Sequence, residues 1–207
     1  VLLGQRIAFK KVDVIYECDE YLLSAITSDT GYISVYEDII LSGEIPAEVM
    51  EQVTTAASFV ALLKEKKLTI GSCESFTAGA FCAAIADVAG ASAVLKGGLV
   101  TYATQEKIAL AHVDAKIIET YGVVSEECAI AMARSARAVL DVDLCISFTG
   151  NAGPDAWEGK PAGLVYCAIA DIQHVQVFAL HSKLTRNELR AYAVQFMMEK
   201  AVAFLSE

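Results

Sequence analysis

The sequence predicts an α/β protein: a layered α/β/α domain with a mixed, partly parallel sheet, plus a small N-terminal β-rich appendage. From residue 46 onward, short apolar runs alternate with helical patterns, and such alternation is typical of strand–helix–strand units. Residues 1–45 instead show short bursts of alternating apolar and polar positions. We therefore expect an appendage over residues 1–45 and a main domain over residues 46–207.

The charge distribution also separates the N-terminal segment. Residues 1–45 contain three basic and eight acidic side chains, which accounts for half of the formal net charge of −10. Alternating bursts at residues 12–16 and 32–36 flank the turn-rich residues 27–31, and this pattern predicts two to four short strands. A segment this small cannot bury a core alone, so we expect it to lean on the rest of the chain or on a partner.

The first helices of the main domain are predicted from spacing. Apolar residues recur every three or four positions from Pro46 to about Lys67, which indicates an amphipathic helix with proline in its first turn. A short buried strand is expected at residues 68–71. A second helix is predicted from about residue 77 to 88, because Gly90 is typical of a helix end.

The rest of the chain repeats this alternation, and its polar residues mark candidate helix starts. Serine, threonine and aspartate are favoured at N-caps because their side chains accept hydrogen bonds from exposed backbone amides. The remaining predicted elements are a strand at residues 98–103, a short helix capped by Thr104, a helix capped by Asp114 and ending at Gly122, a helix from Ser125 to about Leu140, a strand at 143–148, a hairpin with strands 163–170 and 174–180, and a closing helix from Thr185 to about Phe204.

Composition excludes several classes of function. A net charge of −10 argues against direct nucleic-acid binding, which needs a basic face. The six cysteines form no CxxC pair and the three histidines form no ligand motif, so we expect core thiols, no metal and no cofactor. No apolar run is long enough for a membrane span and the N-terminus lacks a signal-peptide pattern, so we expect a cytoplasmic protein.

Three strand-to-helix junctions are candidate sites: residues 70–79, 102–107 and 149–154. In open α/β sheets, ligands gather at the carboxyl ends of strands. Ser75 is expected near a helix N-terminus, where backbone amides can stabilise an oxyanion. The simpler alternative is that Ser75 or Thr77 only caps that helix.

The sequence pattern alone also leaves two interpretations for each of the other two junctions. Lys107 is either a reactive amine or a solvated charge on a short helix, and Tyr102 is either a site residue or a strand-end core residue. The glycines and hydroxyl of residues 149–154 suit a loop that approaches a phosphate or ribose, but glycine–proline segments are also ordinary turns.

Taken together, these segments resemble one family. The matching motifs are Cys-Glu-Ser-Phe-Thr-Ala-Gly at 73–79, Tyr-Ala-Thr-Gln-Glu-Lys at 102–107, Gly-Val-Val-Ser-Glu-Glu at 122–127, Thr-Gly-Asn-Ala-Gly-Pro at 149–154, Lys-Pro-Ala-Gly at 160–163, and the pair Arg186 and Arg190. Over residues 68–205 the chain resembles the C-terminal domain of the CinA competence and damage-inducible proteins, whose stand-alone members are nicotinamide-mononucleotide amidases. The chain departs from that pattern at Phe76, Ala78 and Asn151.

The resemblance implies an amidase that converts nicotinamide mononucleotide to nicotinic acid mononucleotide and ammonia. Ser75 would be the nucleophile, with Tyr102 and Lys107 as its base system, in a homo-oligomer that takes a pyridine nucleotide. The residues expected to bind the substrate are Glu74, Thr77, Gly79, Thr149, Gly150, Asn151, Ala152, Gly153, Arg186 and Arg190. The arginines, one helical turn apart, are expected to hold a phosphate or to form a solvated helix face.

The competing hypothesis is a nucleotide-binding or regulatory module that has no catalytic activity and acts in competence or the DNA-damage response. The two alternatives differ in geometry. A lysine with an ordinary pKa of about 10.4 is almost fully protonated at neutral pH, so an amidase needs Lys107 in surroundings that lower its pKa and within reach of Ser75. A large separation of these side chains would favour the module.

Overall fold

The computed structural model describes residues 54–206, together with the backbone of four strands within residues 6–42. These strands are β1 (Arg6–Lys11), β2 (Val14–Asp19), β3 (Tyr32–Ile33) and β4 (Leu41–Ser42). β1 pairs antiparallel with β2, and β3 pairs antiparallel with β4. The N-terminal segment is thus β-rich over its described backbone, whereas its boundary at residue 45 stays a prediction.

The main sheet has five strands in the order β6-β5-β7-β8-β9. Their bounds are β5 (Ile70–Glu74), β6 (Leu95–Val100), β7 (Leu144–Gly150), β8 (Leu164–Ala170) and β9 (Val175–His181). β5 runs parallel to both β6 and β7, while β8 and β9 are antiparallel to their neighbours. The predicted mixed sheet is therefore confirmed, and the carboxyl ends of β5, β6 and β7 lie at one edge.

Six helices surround this sheet in the described part of the chain, with a short 3₁₀ turn at Ala91–Ala93. They are α1 (Ala56–Lys66), α2 (Ala80–Ala86), α3 (Thr104–Ala109), α4 (Ala115–Tyr121), α5 (Glu126–Leu140) and α6 (Arg186–Phe204). None of the described helices is long and apolar enough to cross a membrane.

Two apolar layers hold the helices on opposite faces of the sheet. On one face α1, α2 and α6 pack together, with Phe59, Phe81 and Met197 buried beside strand residues such as Ile146. On the other face α5 packs across the strands through Cys128 and Met132. Apolar surface on both faces of the sheet is removed from water, which confirms the predicted α/β/α layering.

Local chemistry explains where several helices begin. The Asp114 carboxylate accepts from the Lys116 amide at 2.9 Å, and the Ser125 hydroxyl accepts from the Cys128 amide at 3.1 Å. Thr185 and Glu188 form a reciprocal capping box at the start of α6. These three predicted N-caps are confirmed, because each satisfies amides that the first turn leaves without partners.

Other predicted helix boundaries differ from the structure, although the start predicted at Pro46 lies outside the described residues and stays a prediction. Thr54 and Thr55 are not helical, and α1 begins at Ala56 behind a capping box formed by Thr55 and Ser58; residues 46–53 lie outside the described residues. Thr104 is the first residue of α3, and the preceding Ala103 occupies the cap position without a side-chain bond.

The helix predicted from residue 77 begins only at Ala80. The cause is a turn in which Ala78 has φ of 53° and Gly79 has φ of 93°, a left-handed conformation that no right-handed helix can contain. β5 also ends three residues later than predicted, at Glu74 rather than Gly71, and β6 occupies 95–100 rather than 98–103.

Candidate active site

Ser75 and Lys107 are in direct contact. The Lys107 Nζ atom lies 2.9 Å from Ser75 Oγ and 2.8 Å from the backbone oxygen of Thr101. Ser75 follows directly after β5, and Lys107 lies on α3, which follows β6. Since β5 and β6 are parallel neighbours, the side chains that follow their carboxyl ends meet at one edge of the sheet.

The Lys107 side chain is withdrawn from water and is only 1% exposed. Burial lowers the pKa of Lys107, because withdrawal from water penalises the charged ammonium. This direction of shift favours an amine that can accept a proton.

Two thiols beside Lys107 do little to reverse that effect. Burial raises the pKa of Cys73 to about 12 and that of Cys128 to about 11. Both thiols are therefore uncharged near neutral pH and cannot act as counter-ions for an ammonium. The Glu158 carboxylate acts in the opposite direction and raises the Lys107 pKa, but it is a smaller influence than burial.

Ser75 begins a turn over residues 75–79, which we call the nucleophile turn after the role expected of Ser75. The buried Glu74 carboxylate anchors the end of that turn. One carboxylate oxygen accepts from the amides of Gly79 and Phe81, and the other accepts from the Ser72 hydroxyl and the Cys82 amide, at 2.8–3.1 Å. Glu74 thus binds the amides at the start of α2. Neither Ser75 nor Thr77 caps this helix, so the simpler alternative for Ser75 is wrong.

Arg190 contacts the same turn from α6. Its Nη2 atom donates to the backbone oxygen of Thr77 at 2.7 Å. The Thr77 hydroxyl and Arg190 Nε are buried without a hydrogen-bond partner in the described part of the chain. The nucleophile turn is therefore held at its middle by a guanidinium and at its end by a carboxylate.

A cavity of about 510 Å³ opens over the Ser75–Lys107 pair. Its lining includes the predicted site residues Ser75, Tyr102, Lys107, Thr149, Gly150, Asn151, Ala152, Gly153 and Arg186. Thr149 is buried, with its hydroxyl bonded to the backbone oxygen of Val123. Tyr102 is 62% exposed. Four predicted substrate-binding residues, Glu74, Thr77, Gly79 and Arg190, do not line this cavity.

One wall of the cavity is the cavity loop, residues 151–162, which follows β7. Asn151 stabilises its start, accepting from the Gly153 amide at 2.9 Å and donating to the Asp155 carbonyl at 2.8 Å. Arg186 donates to the Gly153 carbonyl. The side-chain amide of Asn151 is thus used within the loop itself.

The tip of the cavity loop is attached to the segment between α4 and α5. The Glu158 carboxylate accepts from the Val123 amide at 2.9 Å, and Lys160 Nζ donates to the carbonyls of Tyr121 and Val124. Sequence reasoning missed Glu158, because an exposed glutamate in a loop has no pattern that distinguishes it. It also missed Trp157, the chain's only tryptophan, which lines the cavity.

The structure thus defines an α/β/α domain with a buried serine–lysine pair where parallel strands end. Residues 52–205 match the CinA C-terminal domain family, and the chain belongs to that family. The crystal structure of the competence/damage inducible protein CihA from Agrobacterium tumefaciens is similar, with a TM-score of 0.69 and 29% identity over 72% of this chain and 92% of that one. A CinA superfamily protein from Escherichia coli gives a TM-score of 0.67 at 27% identity, over 72% of this chain and 89% of that one.

Relatives with longer chains match as well. A protein from Listeria welshimeri named as competence-damage inducible is 47% identical over 119 residues, which are 58% of this chain and 29% of the relative. A protein of the same name from Geobacillus is 41% identical over 149 residues, 70% of this chain and 36% of the relative. The chain thus spans about a third of the length of these curated relatives.

Proposed function

We propose that the protein is a serine amidase that removes ammonia from nicotinamide mononucleotide. The observation that carries this proposal is the 2.9 Å contact between Lys107 Nζ and Ser75 Oγ at the base of a cavity. A nucleophile with an amine base in hydrogen-bond reach is the minimum for acyl transfer without histidine. The nucleotide itself is proposed from the family resemblance.

In the first step, neutral Lys107 accepts the proton of the Ser75 hydroxyl as Oγ attacks the carboxamide carbon. A neutral amine has two N–H bonds and one lone pair. One N–H can donate to the Thr101 carbonyl, which leaves the lone pair directed to Ser75 along the 2.9 Å contact. The Thr101 carbonyl therefore orients Lys107 for proton transfer.

The tetrahedral intermediate carries a negative oxygen that needs donors. The amide of Phe76 directly follows the nucleophile and donates no hydrogen bond within the described part of the chain, and Phe76 lines the cavity. A preorganised amide of this kind stabilises an oxyanion strongly where water is excluded. We assign it this role, while the Ser75 amide already donates to the Phe148 carbonyl at 2.9 Å.

The proton on Lys107 then passes to the departing nitrogen, the C–N bond breaks, and ammonia leaves an acyl ester on Ser75. Lys107, neutral again, accepts a proton from water as the hydroxide attacks the ester. Collapse of this second intermediate returns the Lys107 proton to Ser75 Oγ and releases the carboxylic acid, which loses its own proton to solvent. Tyr102 lines the same cavity, so we propose that its hydroxyl relays the proton or orients the substrate.

The competing hypothesis, a regulatory module without catalysis, would have gained support from separated side chains. The contact of Ser75 with Lys107 favours the enzyme instead. The decisive experiment is ammonia release from nicotinamide mononucleotide by purified protein, with Ser75→Ala as control. We expect stoichiometric ammonia and nicotinic acid mononucleotide from the parent only. Binding of the nucleotide with no ammonia release would leave the module as the better account.

A further inference from the structure

The chain's only tryptophan, Trp157, lies on the lining of the candidate active site. Its side chain is 59% exposed, although tryptophan normally buries most of its large apolar surface. No apolar cluster of the described core includes it. The packing of the domain therefore does not explain why an indole ring stands at this position.

The backbone around Trp157 forms a tight turn. The Trp157 amide donates to the Lys160 carbonyl at 3.0 Å, and the Lys160 amide donates back to the Trp157 carbonyl at 2.9 Å. Between them Glu158 has φ of 52° and Gly159 has φ of 71°. Positive φ at both central residues is the mark of a type I′ turn, which fixes the directions of the flanking residues.

This turn is attached to the cavity wall by its polar residues. Glu158 accepts from the Val123 amide and Lys160 donates to the Val124 carbonyl, and both valines line the cavity. Trp157 contributes its backbone to the turn, while the side chains of its neighbours make the attachment. The indole is thus presented at the cavity on a supported turn.

Two other residues in the cavity lining complement a flat cation. Tyr102 offers a second exposed aromatic side chain, and Asp155 contributes a carboxylate to the lining. Aromatic faces carry negative charge density and attract cations placed over them. A pyridinium ring, which is flat and positively charged, can stack on an aromatic side chain and is attracted to its face. A neutral aliphatic carboxamide can do neither.

We propose that Trp157 is a specificity residue that stacks on a pyridinium ring and selects N-substituted pyridinium carboxamides over neutral or saturated carboxamides. This inference rests on the proposed function, because it concerns the ring that bears the scissile carboxamide. It adds the chemical basis of substrate choice, which the serine–lysine pair does not provide.

Because Trp157 is the only tryptophan, its fluorescence reports this position alone. The first experiment titrates the Ser75→Ala variant, which cannot turn the ligand over, with nicotinamide mononucleotide. We expect strong quenching of the indole emission together with a pyridinium–indole charge-transfer absorbance. Ribose 5-phosphate, which lacks the ring, should give neither signal. Equal changes with both ligands, or none at saturating nucleotide, would overturn the proposal.

The second experiment compares Trp157→Phe and Trp157→Leu with the parent. Stacking holds the ground state and the transition state alike, so its loss should raise KM with little change in kcat. We expect roughly a 5- to 30-fold rise in KM for Trp157→Leu and a smaller rise for Trp157→Phe. The control is Ile172→Ala, another exposed apolar side chain, outside the cavity lining, which should behave as the parent.

The two proposals can fail separately. If the parent releases no ammonia but the pyridinium nucleotide still quenches Trp157 and ribose 5-phosphate does not, the stacking proposal stands and the amidase proposal falls. If ammonia is released and Trp157→Leu retains the parental KM, the amidase stands and the stacking proposal is wrong.

Discussion

The nucleophile turn and the cavity loop both follow parallel strands at the same edge of the sheet, yet they are held in different ways. The nucleophile turn is fixed by buried groups, chiefly the Glu74 carboxylate with four donors. The cavity loop is fixed at its tip by the exposed Glu158 and the half-buried Lys160, which bond to backbone groups of the segment between α4 and α5. Polar contacts that are removed from water cost more to break than contacts beside it.

Because of this difference, we expect the two regions to have different roles in the site. The buried turn carries Ser75, the proposed nucleophile, and a nucleophile must be held within a fraction of an ångström for chemistry to proceed. The exposed loop forms the wall that meets the substrate, where adjustment is tolerated. Changes at the nucleophile turn should therefore lower kcat and stability, whereas changes at the cavity loop and at Arg186 should mainly raise KM.

The largest expected effect is the loss of activity in Ser75→Ala. Without the hydroxyl no acyl-enzyme forms, and ammonia release should fall by on the order of a thousandfold or more. Lys107 keeps its bond to the Thr101 carbonyl, so the lost hydrogen bond should cost about 1 kcal/mol and move the melting temperature by only a few degrees. An ammonia assay and a thermal melt check both parts. Retention of more than about a tenth of the parental rate would exclude the covalent mechanism.

Lys107→Met should lose nearly as much activity and should also change the pH dependence of stability. The pKa of folded Lys107 lies below its ordinary 10.5, so between those two values the unfolded chain holds a proton that the folded chain does not. The parent's free energy of unfolding therefore rises with pH across that interval, and the variant lacks this rise.

The measurement for Lys107→Met is a series of thermal melts from neutral pH toward 10.5. The difference obtained by subtracting the parent's melting temperature from that of the variant should be largest near neutral pH and should shrink as pH rises. A difference that stays constant over the whole series would mean that burial does not lower the pKa of Lys107. Arginine at position 107, which stays charged throughout, should leave the enzyme inactive at every pH.

Much of this site was predictable because the topology is regular. Motifs that end successive parallel strands meet at one edge, so the junctions that contain Ser75 and Lys107 could be expected at the same edge. The pairing of the two side chains was expected from the family resemblance. The caps at Asp114, Ser125 and Thr185 were predictable because each uses an amide two or three residues away.

What the sequence could not predict depends on distant or unusual backbone geometry. Alanine has no preference for positive φ, so nothing signalled the left-handed turn at Ala78 that delays α2. Helical spacing placed Arg186 and Arg190 on one face of a helix. It did not reveal that Arg190 donates to the Thr77 carbonyl and so does not line the cavity. Glu74 was expected at the substrate, because the sequence did not reveal that its carboxylate binds the Ser72 hydroxyl and three amides at the start of α2.

Glu74→Gln tests whether the buried carboxylate supports the chemistry from outside the cavity. One carboxylate oxygen becomes an amide nitrogen that faces two donors, so we expect a loss of about 2–4 kcal/mol in the free energy of unfolding. At a temperature where the variant stays folded, kcat should fall roughly tenfold with KM little changed. Glu65→Gln, an exposed glutamate on α1, is the matched control. A raised KM with unchanged kcat would instead place Glu74 at the substrate.

The smallest effect on kcat is expected for Arg186→Ala, which should change substrate affinity instead. Arg186 lines the cavity, whereas Arg190 is bonded to the nucleophile turn and does not, so we expect Arg186 to hold the phosphate. Loss of a charge-assisted contact should raise KM for the nucleotide roughly 10- to 100-fold.

Arg186 also bonds the Gly153 carbonyl, so a loosened cavity loop must be separated from a lost phosphate contact. The dephosphorylated riboside does this: a loosened loop weakens both substrates equally, whereas a lost phosphate contact weakens only the nucleotide. Equal turnover of the two by the parent would refute the phosphate role, and Arg190→Ala should lower kcat and the melting temperature instead.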